Sequence, residues 1–300
     1  MAVDLEQLSR ERIYRTQAPC TQVLADMQQL REVDDIKEKK EAVTYFVGCG
    51  SLVIGAFAGF FGLFTLGASG LSSVLLPGAL ILLVVGIVAF VMRAQHAKLD
   101  LENRRYELVS RIVKMLQADT APQAPVTLEI DLRDGTHPAK FFSEGKTPSG
   151  WQAKSYIDRW LSLQSRLVDG THLRLEMIER TDKRTRTRRG SSGRTKTKTR
   201  TVSDALVRVR LQVKTEKYQH LGRLGAHARN AVRLPKGTRL KSFSVEPDRV
   251  DLTVLISDPW DVKASSAMQV NAVEVVAMSL LSLYQILNLS RAIDKKAAHA

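Results

Sequence analysis

Residues 42–92 read AVTYFVGCGSLVIGAFAGFFGLFTLGASGLSSVLLPGALILLVVGIVAFVM. Glu41 is the last charged residue before this run and Arg93 the first after it. The 51 residues between them contain no Lys, Arg, Asp, Glu or His. About 20 apolar residues cross a bilayer core, so the run is long enough for two crossings. Gly67-Ala68-Ser69-Gly70 supplies the break, because glycine and serine favour a tight reversal. The expected spans are 42–66 and 71–92. A buried hairpin of a soluble bundle is the alternative, but soluble helices of this length keep a polar face.

Glycines crowd the first span, and Gly55-Ala56-Phe57-Ala58-Gly59 is a GxxxG. Gly55 and Gly59 let helix backbones approach closely, against the second span or against another copy of the chain. Pro77 is expected to kink the second span near its start.

Basic residues flank both outer ends. Arg31, Lys37, Lys39 and Lys40 precede the first span; Arg93, Lys98, Arg104, Arg105 and Arg111 follow the second. The positive-inside rule therefore places both termini in the cytoplasm, with the plasma (inner) membrane the expected location. The first 41 residues are polar and charged, unlike a signal peptide. Cys20 and Cys49 form no disulfide framework and suit a reducing compartment.

Working outward, residues 4–40 have helical apolar spacing: Val23, Leu24, Met27, Leu30, Val33 and Ile36. Pro19 is expected to separate a short first helix from a longer one. These residues form an N-terminal cytoplasmic helical segment, 1–41. Residues 93–118 continue as a helix with Leu99, Tyr106, Val109, Val113 and Leu116 on a stripe interrupted by Glu102. A hairpin of spans would bring these two helices out side by side as an antiparallel pair. Asp119–Pro125 is a linker, because its two prolines stop the helix.

A soluble α+β domain is expected over 126–300. Val126, Leu128, Ile130 and Leu132 alternate as a half-buried strand. Residues 137–155 read as irregular, with Phe141, Phe142 and Trp151 plugging the core. Leu161, Leu163 and Leu167 suggest a second strand, and Asp169-Gly170 a two-residue hairpin turn. Alternating strands follow at 173–177, 207–213 and 250–256, and 222–233 suggests a short helix. A long final helix, about 266–293 and capped by Ser265 or Ser266, covers the sheet. Its apolar stripe runs through Val270, Val273, Ala277, Leu280, Tyr284 and Leu287, widened by Val276, Leu281, Leu283 and Ile286. The fold class is thus an α+β membrane protein: a two-helix transmembrane hairpin, flanking cytoplasmic helices, and antiparallel strands under a final helix.

Charge is concentrated. Residues 181–201, TDKRTRTRRGSSGRTKTKTRT, hold nine Lys/Arg and one Asp, a net +8 of the chain's +14, leaving +6 for all the rest. Such a segment points to a local anionic partner. Its period of two puts threonine and basic residues on opposite faces of a strand, and threonine favours strands.

The register of this ribbon follows from parity. Apolar residues on both flanks are odd-numbered, so paired numbers add to an even total. A total of 384 pairs Met177 with Val207 and Leu175 with Val209. It also joins Glu176 to Arg208 and Arg180 to Asp204, and leaves Ser191-Ser192-Gly193 as a three-residue loop. A total of 383 would set Leu175 against Arg208. The favoured register stacks Arg184 on Arg200, Arg186 on Lys198 and Arg188 on Lys196. Directly opposed like charges destabilise a hairpin, which suggests an arm that is mobile when free or orders against a polyanion. With Arg189 and Arg194, these residues form the candidate anion-binding set. Evenly spaced cations suit successive phosphates. The arm has no aromatic, Asn or Gln, so nucleic acid would be bound without base reading. Anionic lipid headgroups are the other candidate, and a solvated loop the plain alternative.

No catalytic constellation stands out. His220 and His227 are seven apart without nearby Cys, Asp or Glu, so no metal site is expected. There is no complete Walker motif (G-x-x-x-x-G-K-S/T) and no Gly-x-Ser-x-Gly. Trp151, Trp160 and Trp260 read as core or rim aromatics. No cofactor and no small-molecule substrate are expected. The leading expectation is a non-enzymatic, membrane-anchored interaction protein. A homo-oligomeric scaffold with a solvated arm, and an enzyme with a noncontiguous site in 126–300, are the alternatives.

Overall fold

The computed structural model describes residues 8, 10–64, 72–97, 102–189, 193–262 and 269–298. The chain divides into two compact units. One takes the chain up to Gln28 and again from Glu102; the other takes the stretch between.

The stretch between is helical. Helix α1 (Cys20–Phe64) begins in the first unit and, with α2 (Ser72–Ala97), supplies the described part of the second. Large apolar side chains on both helices are exposed, among them Phe46, Ile54, Phe60, Leu80 and Ile87. Among the described residues, three helices are long and apolar enough to cross a membrane, at Ala42–Leu63, Leu75–Met92 and Ala272–Lys296. Small residues line the contact between α1 and α2. A Cβ added at Gly55 would lie 3.1 Å from Leu82 Cβ and 3.2 Å from the Ala79 carbonyl oxygen; one at Gly59 would lie 3.6 Å from Ala79 Cβ. The tightest approach, at Gly86, was not singled out in the sequence: a Cβ there would meet Leu52 Cγ at 2.5 Å. Pro77 lies in the second turn of α2. The reversal at Gly67–Gly70 lies outside the described residues.

The first unit is built on an eight-stranded antiparallel sheet. Its strands are β1 (Ile13–Pro19), β2 (Pro125–Asp131), β3 (Phe141–Lys146), β4 (Gln152–Arg166), β5 (His172–Arg189), β6 (Thr195–Gln212), β7 (Thr238–Glu246) and β8 (Arg249–Ile256). The order is β1-β2-β4-β5-β6-β8-β7, with β3 added on the edge of β4. Alternation decides which face is buried. Leu128, Leu163, Leu175, Val209 and Leu252 stand on one face and are all buried. Helices α3 (Asn103–Leu116) and α4 (Ala272–Ala298) pack against each other, and α4 packs on β6 and β8. Helices plus a large antiparallel sheet are the architecture expected from the pattern.

Several boundaries differ from the expectation. Residues 13–19 are a strand, not part of an N-terminal helical segment. The sequence IYRTQAP pairs residue for residue with β2, Tyr14 is buried, and the helix starts only at Cys20, after Pro19. The compact unit does not begin at Val126 either. The α3 stripe, with Tyr106, Leu108, Val109, Ile112 and Val113, is fully buried inside it. It therefore packs in the sheet unit.

Residues 141–146 and 152–155, expected to be irregular, are strand, and so are 238–246. Phe141 and Phe142 do not plug the core: they are 49% and 67% exposed. The β4–β5 turn is one residue longer than expected. Leu167 N donates to Thr171 O, which leaves Val168-Asp169-Gly170 as the loop, with Gly170 at φ +89°. Helix α4 starts at Ala272, capped by Asn271, whose Oδ1 accepts from Val273 N at 3.0 Å and Glu274 N at 3.2 Å. Ser265 and Ser266 lie outside the described residues. The buried face of α4 runs through Val275, Val276, Ser279, Leu283, Ile286 and Ser290, which leaves Leu281 exposed.

Candidate functional site

Strands β5 and β6 are each 18 residues long, about 59 Å of ribbon at 3.3 Å per residue. Neighbours brace them unequally. β4 accompanies β5 out to Thr185, opposite Gln152, while β8 accompanies β6 only over 205–212. Beyond Thr185 the ribbon has two strands alone.

The pairing total is 384 along the whole ribbon. Met177 faces Val207, Glu176 faces Arg208 and Arg180 faces Asp204. Towards the tip, Arg184 faces Arg200, Arg186 faces Lys198 and Arg188 faces Lys196. Arg189 opposes Thr195, and Arg194 follows Gly193, whose φ is +75°. Gly190, Ser191 and Ser192 lie outside the described residues. On the other face Thr187 and Thr197 share a cross-strand hydroxyl contact of 3.0 Å.

One cation of the set is neutralised within the fold. Arg184 Nη2 donates to Asp182 Oδ2 at 2.8 Å, and Ser155 Oγ donates to Asp182 Oδ1 at 2.7 Å. These bonds, Arg184 first, hold the Asp182 carboxyl below its usual pKa. Arg189 Nε donates to Gly193 O at 3.2 Å. Arg186, Arg188, Arg194, Lys196, Lys198 and Arg200 make no ion pair among the described residues. Five of these six stand on strand, in alternation, where a polyanion could meet them in sequence.

Beside the ribbon's base lies an aromatic edge. β3 pairs with β4, and its register shifts between Phe141 and Ser143, so Phe142 is the extra residue of a bulge. Phe141 packs edge-on against Tyr156, with ring centres 6.0 Å apart. Row by row, Glu144, Lys154 and Lys183 are neighbours across β3, β4 and β5.

The base is anchored by a buried ionic cluster that the sequence reading missed. Arg105 on α3 is wholly buried. Its Nη2 donates to Asp158 Oδ2 at 2.8 Å and Glu179 Oε2 at 2.9 Å, and its Nη1 donates to the Asp131 carbonyl at 2.7 Å. Lys140 Nζ donates to the same Asp158 oxygen at 2.9 Å. Burial raises the Asp158 pKa against the pull of Arg105 and Lys140. Burial also disfavours the Arg105 charge, but Glu102, Asp158 and Glu179 outweigh it and raise its pKa. Trp160 and Trp260 stack at 5.5 Å and 7°, with Arg105 over the first ring and Arg104 over the second. Trp260 Nε1 donates to Glu179 Oε1 at 2.6 Å. One signal was present in the sequence: Glu179 continues the core-facing odd series of Leu173, Leu175 and Met177.

Compared with known protein families, with curated proteins and with solved structures, the chain finds no match.

Proposed function

We propose that this chain is a non-enzymatic membrane protein. Two spans anchor it with both ends in the cytoplasm, and its basic ribbon binds an anionic surface without sequence specificity. One observation carries the reading: three successive rungs of the ribbon oppose cation to cation. Each such rung weakens the hairpin on its own, and a polyanion would turn that repulsion into attraction. Anionic lipid is the favoured surface. The chain's apolar helices suit a bilayer in length and composition, and the exposed Phe141 and Phe142 on edge strand β3 suit a headgroup interface. In this reading the plasma (inner) membrane is the location and its phospholipids are the partner.

The test uses the full chain in nanodiscs of phosphatidylcholine, with and without phosphatidylserine. Amine-reactive labelling of Lys196 and Lys198, read by mass spectrometry, should slow on the anionic discs. Added salt should restore it, because screening shortens the reach of exposed charges to about 8 Å at physiological ionic strength. Equal labelling on both discs removes the lipid reading; slowing by added oligonucleotide alone assigns the ribbon to nucleic acid.

A further inference from the structure

The polar face of the sheet, at the end of the ribbon away from its tip, carries a second cationic feature. Cross-strand register places Gln164, Arg174 and Arg210 in one row. It places Arg166, His172 and Gln212 in the next. Residues opposed across strands stand about 5 Å apart, and rows two residues apart are separated by about 7 Å. Six side chains therefore cover a field of roughly 10 by 7 Å on one face.

This field lines a concavity of about 550 Å³, with Lys214 at its margin. That volume is in the range of small-molecule sites. Four of the thirteen lining residues are Arg or Lys, one is His, and none is Asp or Glu. Carboxylates outside the lining hold two of the arginines. Glu176 bonds Arg174 at 2.7 Å, and Asp251 bonds Arg210. Those pairs fix two guanidinium groups that stand directly opposite each other. Arg166, His172 and Lys214 make no side-chain bond among the described residues. The lining thus offers cationic donors and amide donors without a repelling carboxylate, and all but Lys214 stand on strands that the ladder holds rigid.

We infer that this concavity is a binding site for a phosphate group carrying at least two charges, borne by a soluble small molecule or by a lipid headgroup. The planar guanidinium groups match a tetrahedral oxyanion in bidentate fashion. The site is separate from the tip of the ribbon and stands without the ribbon reading: Arg174 and Arg188 are 14 positions apart on one strand, about 46 Å.

The experiment uses the full chain with Arg184, Arg186, Arg188, Lys196, Lys198 and Arg200 replaced by Ser, so that binding at the ribbon does not contribute. In phosphatidylcholine nanodiscs, inorganic pyrophosphate is titrated by calorimetry. In a second arm, native mass spectrometry counts phosphatidic acid molecules retained from mixed discs. Saturable one-to-one binding of pyrophosphate assigns a soluble ligand; retention of phosphatidic acid without pyrophosphate binding assigns a headgroup. In either case Arg166→Ser with Lys214→Ser should weaken binding about tenfold or more, the effect of losing charge-assisted bonds. Gln164→Glu, which puts a carboxylate into the lining, should weaken it as well. All three positions are exposed, so the near-ultraviolet signal of the Trp160–Trp260 stack should persist and report an intact fold. The inference falls if neither probe binds saturably, or if binding survives these substitutions in a folded chain.

Discussion

Arg105 Nη2 donates to Asp158 Oδ2 at 2.8 Å in a place where neither side chain meets solvent. This bond joins the helix that follows residue 102 to the strand that braces the basic ribbon. An ion pair so deep is costly to break from one side, because the abandoned charge stays buried. Arg105→Met should therefore destabilise the sheet unit by about 3–5 kcal/mol. Arg105→Lys keeps the charge but loses the fork that reaches Asp158, Glu179 and the Asp131 carbonyl together, and should fall between. Thermal unfolding of the full chain, followed by the near-ultraviolet signal of the stacked Trp160 and Trp260, reads both. A Met variant as stable as the parent would show that the cluster does not anchor the fold.

The same cluster sets a pH dependence with two opposite parts. Asp158 has a raised pKa, chiefly through burial. The folded state then holds its proton more tightly than the unfolded state, whose Asp titrates near 3.9. Stability from this group is greatest below that value and is lost as pH rises through the raised folded pKa. Asp131 runs the other way. Burial opposes its charge, but bonds from Arg133 and the nearby Lys140 prevail and lower its pKa. Its contribution is complete above the unfolded value and disappears as pH falls through the lowered one. Asp158→Asn should accordingly remove a loss of stability on the alkaline side of the unfolded pKa. Asp131→Asn should remove a loss on the acid side. Melting temperatures measured across this range separate the two, and identical profiles for both variants would refute the assignment.

Much of this architecture was legible because parity is a strict code. A strand that shows one face to the core tolerates no one-residue slip, so the odd numbering of Leu175, Met177, Val207 and Val209 sufficed to place Arg186 opposite Lys198. The ionic cluster was not legible. Arg105, Asp158 and Glu179 come from one helix and two strands, and nothing local in the chain says that they meet. Residues 13–19 misled for a related reason. Seven residues before a long helical pattern read as part of a short helix preceding it, and only the distant partner strand at 125–131 makes them a strand. Phe141 and Phe142 misled through hydrophobicity alone, because a bulge on an edge strand turns Phe142 out to solvent.

Repulsion within the ribbon gives a third prediction. Lys198→Glu converts the Arg186 rung into an opposite-charge pair and should stabilise the free two-stranded part by about 0.2–1 kcal/mol. Amide hydrogen exchange at Thr187 and Thr197 should slow, since their hydroxyl contact lies one rung away. The same substitution should weaken attachment to anionic discs. Slower exchange together with stronger anionic binding would contradict the role given to these cations.

Phe142 separates lipid from the other partners of the ribbon. Phe142→Trp in the full chain places a reporter at a side chain that is 67% exposed. On discs containing phosphatidylserine its added emission should shift to the blue and be quenched by shallow brominated lipids, as interfacial aromatics are. On phosphatidylcholine alone the emission should stay that of a hydrated indole. A blue shift without lipid quenching would assign β3 to a protein contact instead.

Glycines in the helical unit make a graded series. A Cβ at Gly86 would stand 2.5 Å from Leu52 Cγ and 3.1 Å from Ser51 Oγ, while one at Gly50 or Gly78 meets nothing within 4 Å. Gly55 is intermediate, and the 3.6 Å approach at Gly59 is an ordinary contact. Because α1 and α2 close on each other through these positions, a methyl group at Gly86 must push Leu52 from its rotamer or part the helices, at about 1–3 kcal/mol. Gly86→Ala should therefore lower the denaturant midpoint of the helical pair more than Gly55→Ala. Gly59→Ala and Gly78→Ala should leave it close to the parent's. Helical circular dichroism in detergent, titrated with sodium dodecyl sulfate, reads the series. Equal effects at Gly86 and Gly78 would mean that close packing between α1 and α2 is not what these glycines provide.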